Sequence, residues 1–180
     1  MKRICYMLIG VPGCGKSTIS EELIKDMPQL QIASSDLIID QYAKKKGKTY
    51  SQVHRDYVEE AQKIMTRQVQ DMMKKGESFI WDQTNVFASA RKKKMTTLTQ
   101  NKYSVIAITI ELTPEELEKR LKKRVDNGGK FISPKIVADM LLNYTRPTYD
   151  EGYQEVYVIQ DDGHAHLIEK DPSLNSKPKT

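Results

Sequence analysis

Residues 4–18 read Ile4-Cys5-Tyr6-Met7-Leu8-Ile9-Gly10-Val11-Pro12-Gly13-Cys14-Gly15-Lys16-Ser17-Thr18. An apolar run of strand length leads straight into G-x-x-x-x-G-K-[ST]. A segment with Ile19, Leu23, Ile24 and Met27 on one helical face follows, ended by Pro28. Strand, loop and helix in that order are the setting a phosphate-binding loop requires. Gly10, Gly13 and Gly15 let the chain fold tightly enough for backbone N–H groups to point inward at phosphate oxygens. The partial positive charge of a helix N-terminus beginning near Lys16 adds to the same cradle. Lys16 reaches the β- and γ-phosphates, and the Ser17 hydroxyl is a ligand for Mg²⁺. Gly10, Pro12, Gly13, Cys14, Gly15, Lys16, Ser17 and Thr18 are thus candidate nucleotide-binding residues, and the stretch predicts a nucleoside triphosphate site.

Outward from this loop, helical and extended patterns alternate, which predicts βαβ units around a mostly parallel sheet. The first strand, Ile4–Ile9, is nearly all apolar, as a strand covered on both faces must be. A short second strand, Leu30–Ala33, ends in Ser34-Ser35-Asp36, and a helix follows to about Lys45. Thr49 or Ser51 caps a long helix from about Ser51 to Lys75, with Val53, Tyr57, Ala61, Ile64, Met65, Val69 and Met72 as its apolar stripe and Gly76 as its stop. Ser78–Trp81 is a third strand ending in Asp82-Gln83-Thr84-Asn85. A basic helix from about Ala88 to Thr99 precedes the fourth strand, Ser104–Ile110. Thr113-Pro114-Glu115-Glu116 combines an N-cap, a proline at the first helical position and a capping-box glutamate. That helix runs to about Val125, and Asp126-Asn127-Gly128-Gly129 follows as a hinge. A last helix from about Pro134 to Asn143 leads through a tyrosine-rich turn to a fifth strand, Glu155–Ile159. His164–Ile168 is an antiparallel edge after the Asp161-Asp162-Gly163 turn. The fold expected is therefore α/β, a mostly parallel five-stranded sheet flanked by helices, in one domain over residues 1–168 with a polar tail at 169–180.

Composition narrows the class. A chain of 180 residues suits one domain with an ordinary core, and 38% hydrophobic with 29% charged residues excludes a disordered chain. No apolar run approaches the roughly 20 residues needed to span a bilayer, so no membrane partner is expected. Met1-Lys2-Arg3-Ile4 enters a strand with no leader-like segment. The two cysteines, Cys5 and Cys14, suggest no disulfide framework, so a cytoplasmic setting is expected. Cys14 reads either as a redox switch or as a small residue tolerated in the loop. A net charge of +5 permits a polyanionic partner. The runs Lys44–Lys48 and Arg91–Lys94 mark either a path for a phosphate backbone or solvated faces.

In an open parallel sheet, ligands sit beyond the carboxyl ends of the strands. Asp36, after the second strand, lies where an acceptor hydroxyl would meet the γ-phosphate and could orient it and take its proton; its structural alternative is a helix cap. Asp82 ends an apolar strand where a carboxylate holds Mg²⁺ directly or through water; the alternative is a turn residue. Gln83, Thr84 and Asn85 are neutral hydrogen-bonders that bind substrate or shape the turn. Arg120 and Arg124, four apart, share a helical face and could act as an arginine lid on the transferring phosphate; the alternative is a solvated basic face. Trp81 reads as core, and packing is favoured over base stacking for Tyr144, Tyr149 and Tyr153.

Taken together, Gly10–Ser17, Asp36, Asp82-Gln83-Thr84-Asn85, the Arg120/Arg124 pair and the segment from Ile132-Ser133-Pro134 to Tyr157 resemble the kinase domain of phage-type polynucleotide 5′-hydroxyl kinases. They are also similar to the ATPase module of some heterogeneous nuclear ribonucleoproteins. The resemblance covers roughly residues 3–160. It implies a P-loop kinase fold with a helical arginine lid and Mg²⁺-dependent transfer of the γ-phosphate of ATP to a nucleic-acid hydroxyl, a 5′-OH first. It also implies Asp36 as general base, Lys16 and Ser17 on phosphate and Mg²⁺, and Arg124 on the transferring phosphate. The chain departs from that family in two ways. Leu37-Ile38-Ile39-Asp40 replaces the stretch in which the phage-type kinases carry a strand-gripping arginine, and no separate phosphatase domain accompanies the kinase. A small-metabolite kinase and a nucleotide-binding module without transfer activity remain open from the residues.

Overall fold

The computed structural model describes residues 2–126 and 130–168. Six strands form one sheet in the order β2-β3-β1-β4-β5-β6: β1 (Ile4–Ile9), β2 (Gln31–Ala33), β3 (Phe79–Asp82), β4 (Ser104–Ile110), β5 (Glu155–Ile159) and β6 (Ala165–Leu167). The first five are mutually parallel, and β6 runs antiparallel to β5. The His164–Ile168 edge is therefore a true sixth strand, and the sheet is wider than the five strands expected. Six helices cover it: α1 (Lys16–Asp26), α2 (Ser35–Lys45), α3 (Tyr50–Lys75), α4 (Ala88–Gln100), α5 (Pro114–Asp126) and α6 (Pro134–Leu142).

The central strands β1 and β4 are buried almost throughout, because helices cover both faces of a parallel sheet. Met65, Val69, Met72 and Met73 from α3 and Met95 and Leu98 from α4 pack with Cys5, Met7, Phe79 and Val105 on one face. Leu117, Val137 and the partly buried Ile19, Leu23 and Ile24 pack with Leu8, Ile80 and Ile108 on the other. The methionines of α3 are thus core filler. A third cluster joins α2 to α3 through Ile39, Ala43, Val53 and Ala61, capped by Tyr42 stacked on Tyr57 at 3.8 Å. This packing fixes where the start of α2 lies.

The helix ends follow the sequence signals, with adjustments. Thr49, rather than Ser51, caps α3, and its capping box closes with Gln52. Gly76 stops that helix at φ 72°. Thr113 Oγ1 accepts from the Glu116 N–H at 3.3 Å, but the reciprocal half of the expected box does not form. Glu116 turns to Arg120, and the Thr113 N–H donates to Asp161 instead, at 3.0 Å. The Gly128-Gly129 hinge and the 169–180 tail expected from the sequence lie outside the described residues. None of the described helices is long and apolar enough to cross a membrane.

Candidate functional site

The strand order reverses at β1, which has β3 and β2 on one side and β4 and β5 on the other. A ligand crevice belongs at that switch point, beyond the carboxyl ends of the strands. The loop Gly10–Gly15 occupies it. Gly13 takes φ 85°, and a Cβ there would lie 2.5 Å from Leu121 Cδ2. Gly15 takes φ 113°, and a Cβ would lie 3.2 Å from Arg120 Nη1. Glycine is required at both positions by conformation and by the close approach of α5. The loop is tied to the neighbouring strand end by the Gly10 N–H, which donates to the Thr84 carbonyl at 2.8 Å. Lys16 Nζ curls over the loop and donates to the carbonyls of Gly10 and Val11 at 2.9 and 3.1 Å. Ser17 and Thr18 stand exposed on the first turn of α1. Cys14 is buried, and burial pushes its thiol up, outweighing the pull of Lys16. A thiolate is disfavoured there, which supports the small loop residue over the redox switch.

Asp36 lies in the first turn of α2, but the cap is Ser34, whose hydroxyl accepts from the Leu37 N–H. The Asp36 carboxylate is exposed and accepts a 2.6 Å hydrogen bond from the Tyr50 hydroxyl. Lys130, from the segment before α6, lies 3.7 Å from Asp36 and 3.1 Å from Asp40, with its ammonium 3.4 Å from the centre of the Tyr50 ring. His54 packs beside that ring at 5.1 Å. Asp82 sits deeper. Burial raises its carboxyl above the usual range, Lys16 pulls it down, Asp36 pushes it up again, and a hydrogen bond from Ser34 lowers it. Lys16, Asp36 and Asp82 thus share one electrostatic neighbourhood, although 66 residues separate the first from the last.

The turn after β3 divides the roles expected of it. Thr84 is half-buried against the loop. The Asn85 side chain is buried: its amide donates to the Leu8 carbonyl at 2.7 Å, its oxygen accepts from Lys94, and it holds φ 49°. Its amide is spent on the fold, so the expectation that it faces substrate is corrected. The Gln83 oxygen is likewise occupied by Trp81 Nε1 and Lys94 at 3.2 and 2.6 Å. The basic run Arg91–Lys94 is corrected too. Arg91 is fully buried and makes a bidentate pair with Glu151 at 2.7 and 2.8 Å, its Nη1 donating to the carbonyls of Asn85 and Val86. Only Lys92 and Lys93 of that run are exposed, so it offers no continuous basic path, whereas Lys44–Lys48 is exposed throughout.

On α5 the two arginines differ. Arg120 Nη1 donates to the Cys14 carbonyl at 2.9 Å while its Nε pairs with Glu116 at 2.7 Å, which locks it on the phosphate loop. Arg124 makes no hydrogen bond or ion pair among the described residues; its charge reaches Tyr50, where it offsets only a small part of the upward push that burial and Asp36 give that phenol. Tyr50 and Lys130 went unnoticed in the sequence, and Asp40 was read only as the last residue of the stretch Leu37-Ile38-Ile39-Asp40 that lacks a strand-gripping arginine. A lone tyrosine, an acid on an apolar helix and a lysine beside glycines carry no local pattern; only the fold brings them together. Tyr153 is core, and Tyr144 and Tyr149 pack against it, in line with the packing reading.

Residues 6–147 match the family model described as an AAA domain. Heterogeneous nuclear ribonucleoprotein U-like protein 2, of human and of mouse, is 24% identical over 156 residues, 83% of this chain and 20% of the relative. The chain therefore spans about a fifth of the length of those curated relatives. Among solved structures, one from the PezAT chromosomal toxin–antitoxin system of Streptococcus pneumoniae superposes with a TM-score of 0.70 at 20% identity, over 98% of this chain and 73% of that one. The AvrRxo1-ORF1:-ORF2 complex with ATP gives 0.70 at 13% identity, over 93% and 57%. A fungal RNA kinase gives 0.54 at 18% identity, over 98% and 80%. The α/β P-loop kinase fold expected from the sequence is the fold present.

Proposed function

The chain belongs to the family described as an AAA domain, and on that premise we propose that it is a Mg²⁺-dependent kinase moving the γ-phosphate of ATP to a nucleic-acid hydroxyl, a polynucleotide 5′-OH. One observation carries this reading: a carboxylate not needed as a helix cap, Asp36, stands exposed in the electrostatic neighbourhood of the phosphate-loop Lys16 and of Asp82. A nucleotide-binding module without transfer has no use for a carboxylate there. In a kinase it orients the acceptor hydroxyl and accepts its proton as the new phosphorus–oxygen bond forms and the bond from the γ-phosphorus to the bridging oxygen of the departing ADP breaks.

The other residues take complementary roles. Lys16 and the loop N–H groups hold the β- and γ-phosphates, and Arg120 keeps α5 against the loop. Arg124, without a partner among the described residues, is the group available to charge on the transferring phosphoryl oxygens. Ser17 and Asp82 would hold Mg²⁺. One hydroxyl and one carboxylate are hard oxygen donors, and Mg²⁺ takes few protein oxygens beside phosphates and water. Among the described residues no cluster of three or more His, Cys, Asp or Glu competes as a protein-only metal cage. Held by Ser17 and Asp82, Mg²⁺ would supply positive charge against the negative charge that develops on the phosphate oxygens during transfer.

For the acceptor, support comes from the exposed Lys44–Lys48 run at the C-terminal end of α2 and the likeness to an RNA kinase and to ribonucleoprotein relatives. The test follows label from γ-labelled ATP with Mg²⁺ into 5′-OH DNA and RNA oligonucleotides, 5′-blocked oligonucleotides, nucleosides and sugars, with Asp36→Ala as control. Label on the 5′-OH oligonucleotides, lost in the control, is the expected result. Label on small molecules alone, or ATP binding without transfer, would overturn the nucleic-acid acceptor or the kinase reading respectively.

A further inference from the structure

Among the described residues, Lys130 is the one cation within ion-pair distance of Asp36. It is held by three groups at once. Asp40 is its nearest carboxylate at 3.1 Å, Asp36 lies at 3.7 Å, and the Tyr50 ring centre lies 3.4 Å from the ammonium. The Lys130 side chain is only 15% exposed, whereas that of Asp36 is 61% exposed, so the base faces solvent and the cation flanks it. Asp36 and Asp40 are four apart and share one face of α2. Within ion-pair range this wall sets two carboxylates against one ammonium, with Arg124 as the further cation that reaches Tyr50, so an anionic acceptor meets bare positive charge there only where the ammonium is redirected from its carboxylates. A lysine permits that. Its ammonium is a point charge on a flexible four-carbon stem and binds phosphate without a fixed fork geometry.

We propose that Lys130 is a specificity-determining residue that exchanges Asp40 for the acceptor phosphate nearest the reacting hydroxyl. Asp40 parks the ammonium beside the base, and an entering nucleotide chain draws it off. Acceptors that carry this phosphate are thereby favoured over nucleosides that lack it. The inference rests on Asp36 as the base of the proposed transfer and adds to it the feature of the acceptor that is read. It also assigns to the segment before α6 a charge that α2 itself, with Leu37-Ile38-Ile39-Asp40, does not supply.

The experiment compares the full chain with Lys130→Met, Lys130→Arg, Asp40→Asn and, as a control for general loss of positive charge, Lys122→Met on exposed α5. The acceptors are thymidine and its 5′-OH dinucleotide, which adds one phosphate. Lys130→Met is expected to lower kcat/KM for the dinucleotide by roughly 10- to 100-fold, the range of a hydrogen bond to a charged group. Thymidine should change far less, and Lys130→Arg should restore the preference. Asp40→Asn, which frees the ammonium, should lower KM for the dinucleotide. Equal losses on both acceptors would overturn the proposal and make Lys130 a support for Asp36 alone. Binding of a fluorescent 5′-OH oligothymidylate is followed in parallel by anisotropy against salt. Lys130→Met should reduce the slope by roughly 0.7, one phosphate's worth on a single strand. An unchanged slope overturns the proposal even where turnover falls. Transfer to neither acceptor by the wild type, with a Lys130-dependent slope intact, would instead sink the kinase reading and leave the phosphate contact standing. Melting curves of each variant separate a local effect from misfolding.

Discussion

The Tyr50 hydroxyl donates a 2.6 Å hydrogen bond to Asp36, joining the first residue of α3 to the first turn of α2. Burial, and then the carboxylate itself, push the phenol well above its ordinary range, so the donor keeps its proton through the neutral range. The bond aims one carboxylate oxygen and leaves the other to Lys130 or an acceptor. Asp36→Asn should therefore lower kcat by roughly 10²- to 10⁴-fold, the usual contribution of general base catalysis, while nucleotide affinity persists. Tyr50→Phe should cost less, about tenfold, because only orientation is lost. Full turnover by Asp36→Asn in a single-turnover assay would remove it from the chemistry.

Gly13 tests whether the loop and α5 form one unit. A methyl group there would meet Leu121 Cδ2 at 2.5 Å, and φ 85° is itself a left-handed conformation. Gly13→Ala should push α5 away, take Arg120 off the Cys14 carbonyl, and weaken binding of a non-hydrolysable ATP analogue by an order of magnitude or more. Calorimetric titration reads this directly, and unaltered affinity would mean that α5 yields without disturbing the loop.

Arg120 and Arg124 should separate kinetically. Arg120 is bonded to the loop and to Glu116, so Arg120→Ala should raise KM for ATP before it touches kcat. Arg124 has no ion pair among the described residues, and its loss should fall on kcat by roughly 10³-fold if it meets the transferring phosphoryl group as an arginine finger does. A loss of tenfold or less would make it a solvated residue of α5.

Why the sequence revealed the loop and the strand ends but not the cluster around Tyr50 follows from what each depends on. Gly10–Thr18 carries its chemistry in adjacent residues, Asp82 is marked by the strand it terminates, and Asp36 by the helix turn that follows β2. Tyr50, Lys130 and Asp40 meet only because α2 packs on α3 and the segment before α6 folds back over both. The basic reading of Arg91–Lys94 went astray for a related reason. Charge in a run says nothing about which helical face each residue takes, and Arg91, Met95 and Leu98 are the face that α4 buries. Likewise, the turn after β3 offered neutral hydrogen-bonders that bind substrate or shape the turn. The β-sheet instead draws the Asn85 amide inward to the end of β1.

Arg91 then makes a strong stability prediction. It is fully buried against the half-hidden Glu151 and also serves two backbone carbonyls. Removing one partner leaves an uncompensated charge and two unpaired acceptors, a loss of roughly 3–5 kcal/mol. Arg91→Leu should lower the melting temperature by about ten degrees or more in a chain of this size. A shift of one or two degrees would show that water reaches the site and replaces the guanidinium.

Lys94, one turn further along α4, should show itself in the pH dependence of stability. Its ammonium donates to the side-chain oxygens of Gln83 and Asn85 and lies 4.9 Å from the Trp81 ring centre, with no carboxylate in ion-pair range among the described residues. Burial therefore lowers it from 10.5 to about 8. Between those values the folded protein has released a proton that the unfolded chain still holds, so stability rises with pH across that window. By pH 9.5 the gain is roughly 2 kcal/mol, at 1.36 kcal/mol per pH interval of one. Above about pH 10 the raised tyrosines, Tyr144 and Tyr153 among them, act the other way, because the unfolded chain ionises first. Urea midpoints for wild type and Lys94→Met from pH 7 to 9.5 isolate the effect. The difference in their unfolding free energies should move in favour of the wild type as pH rises. A constant difference would mean that Lys94 keeps its proton, and that Gln83, Asn85 and the Trp81 ring compensate its burial fully.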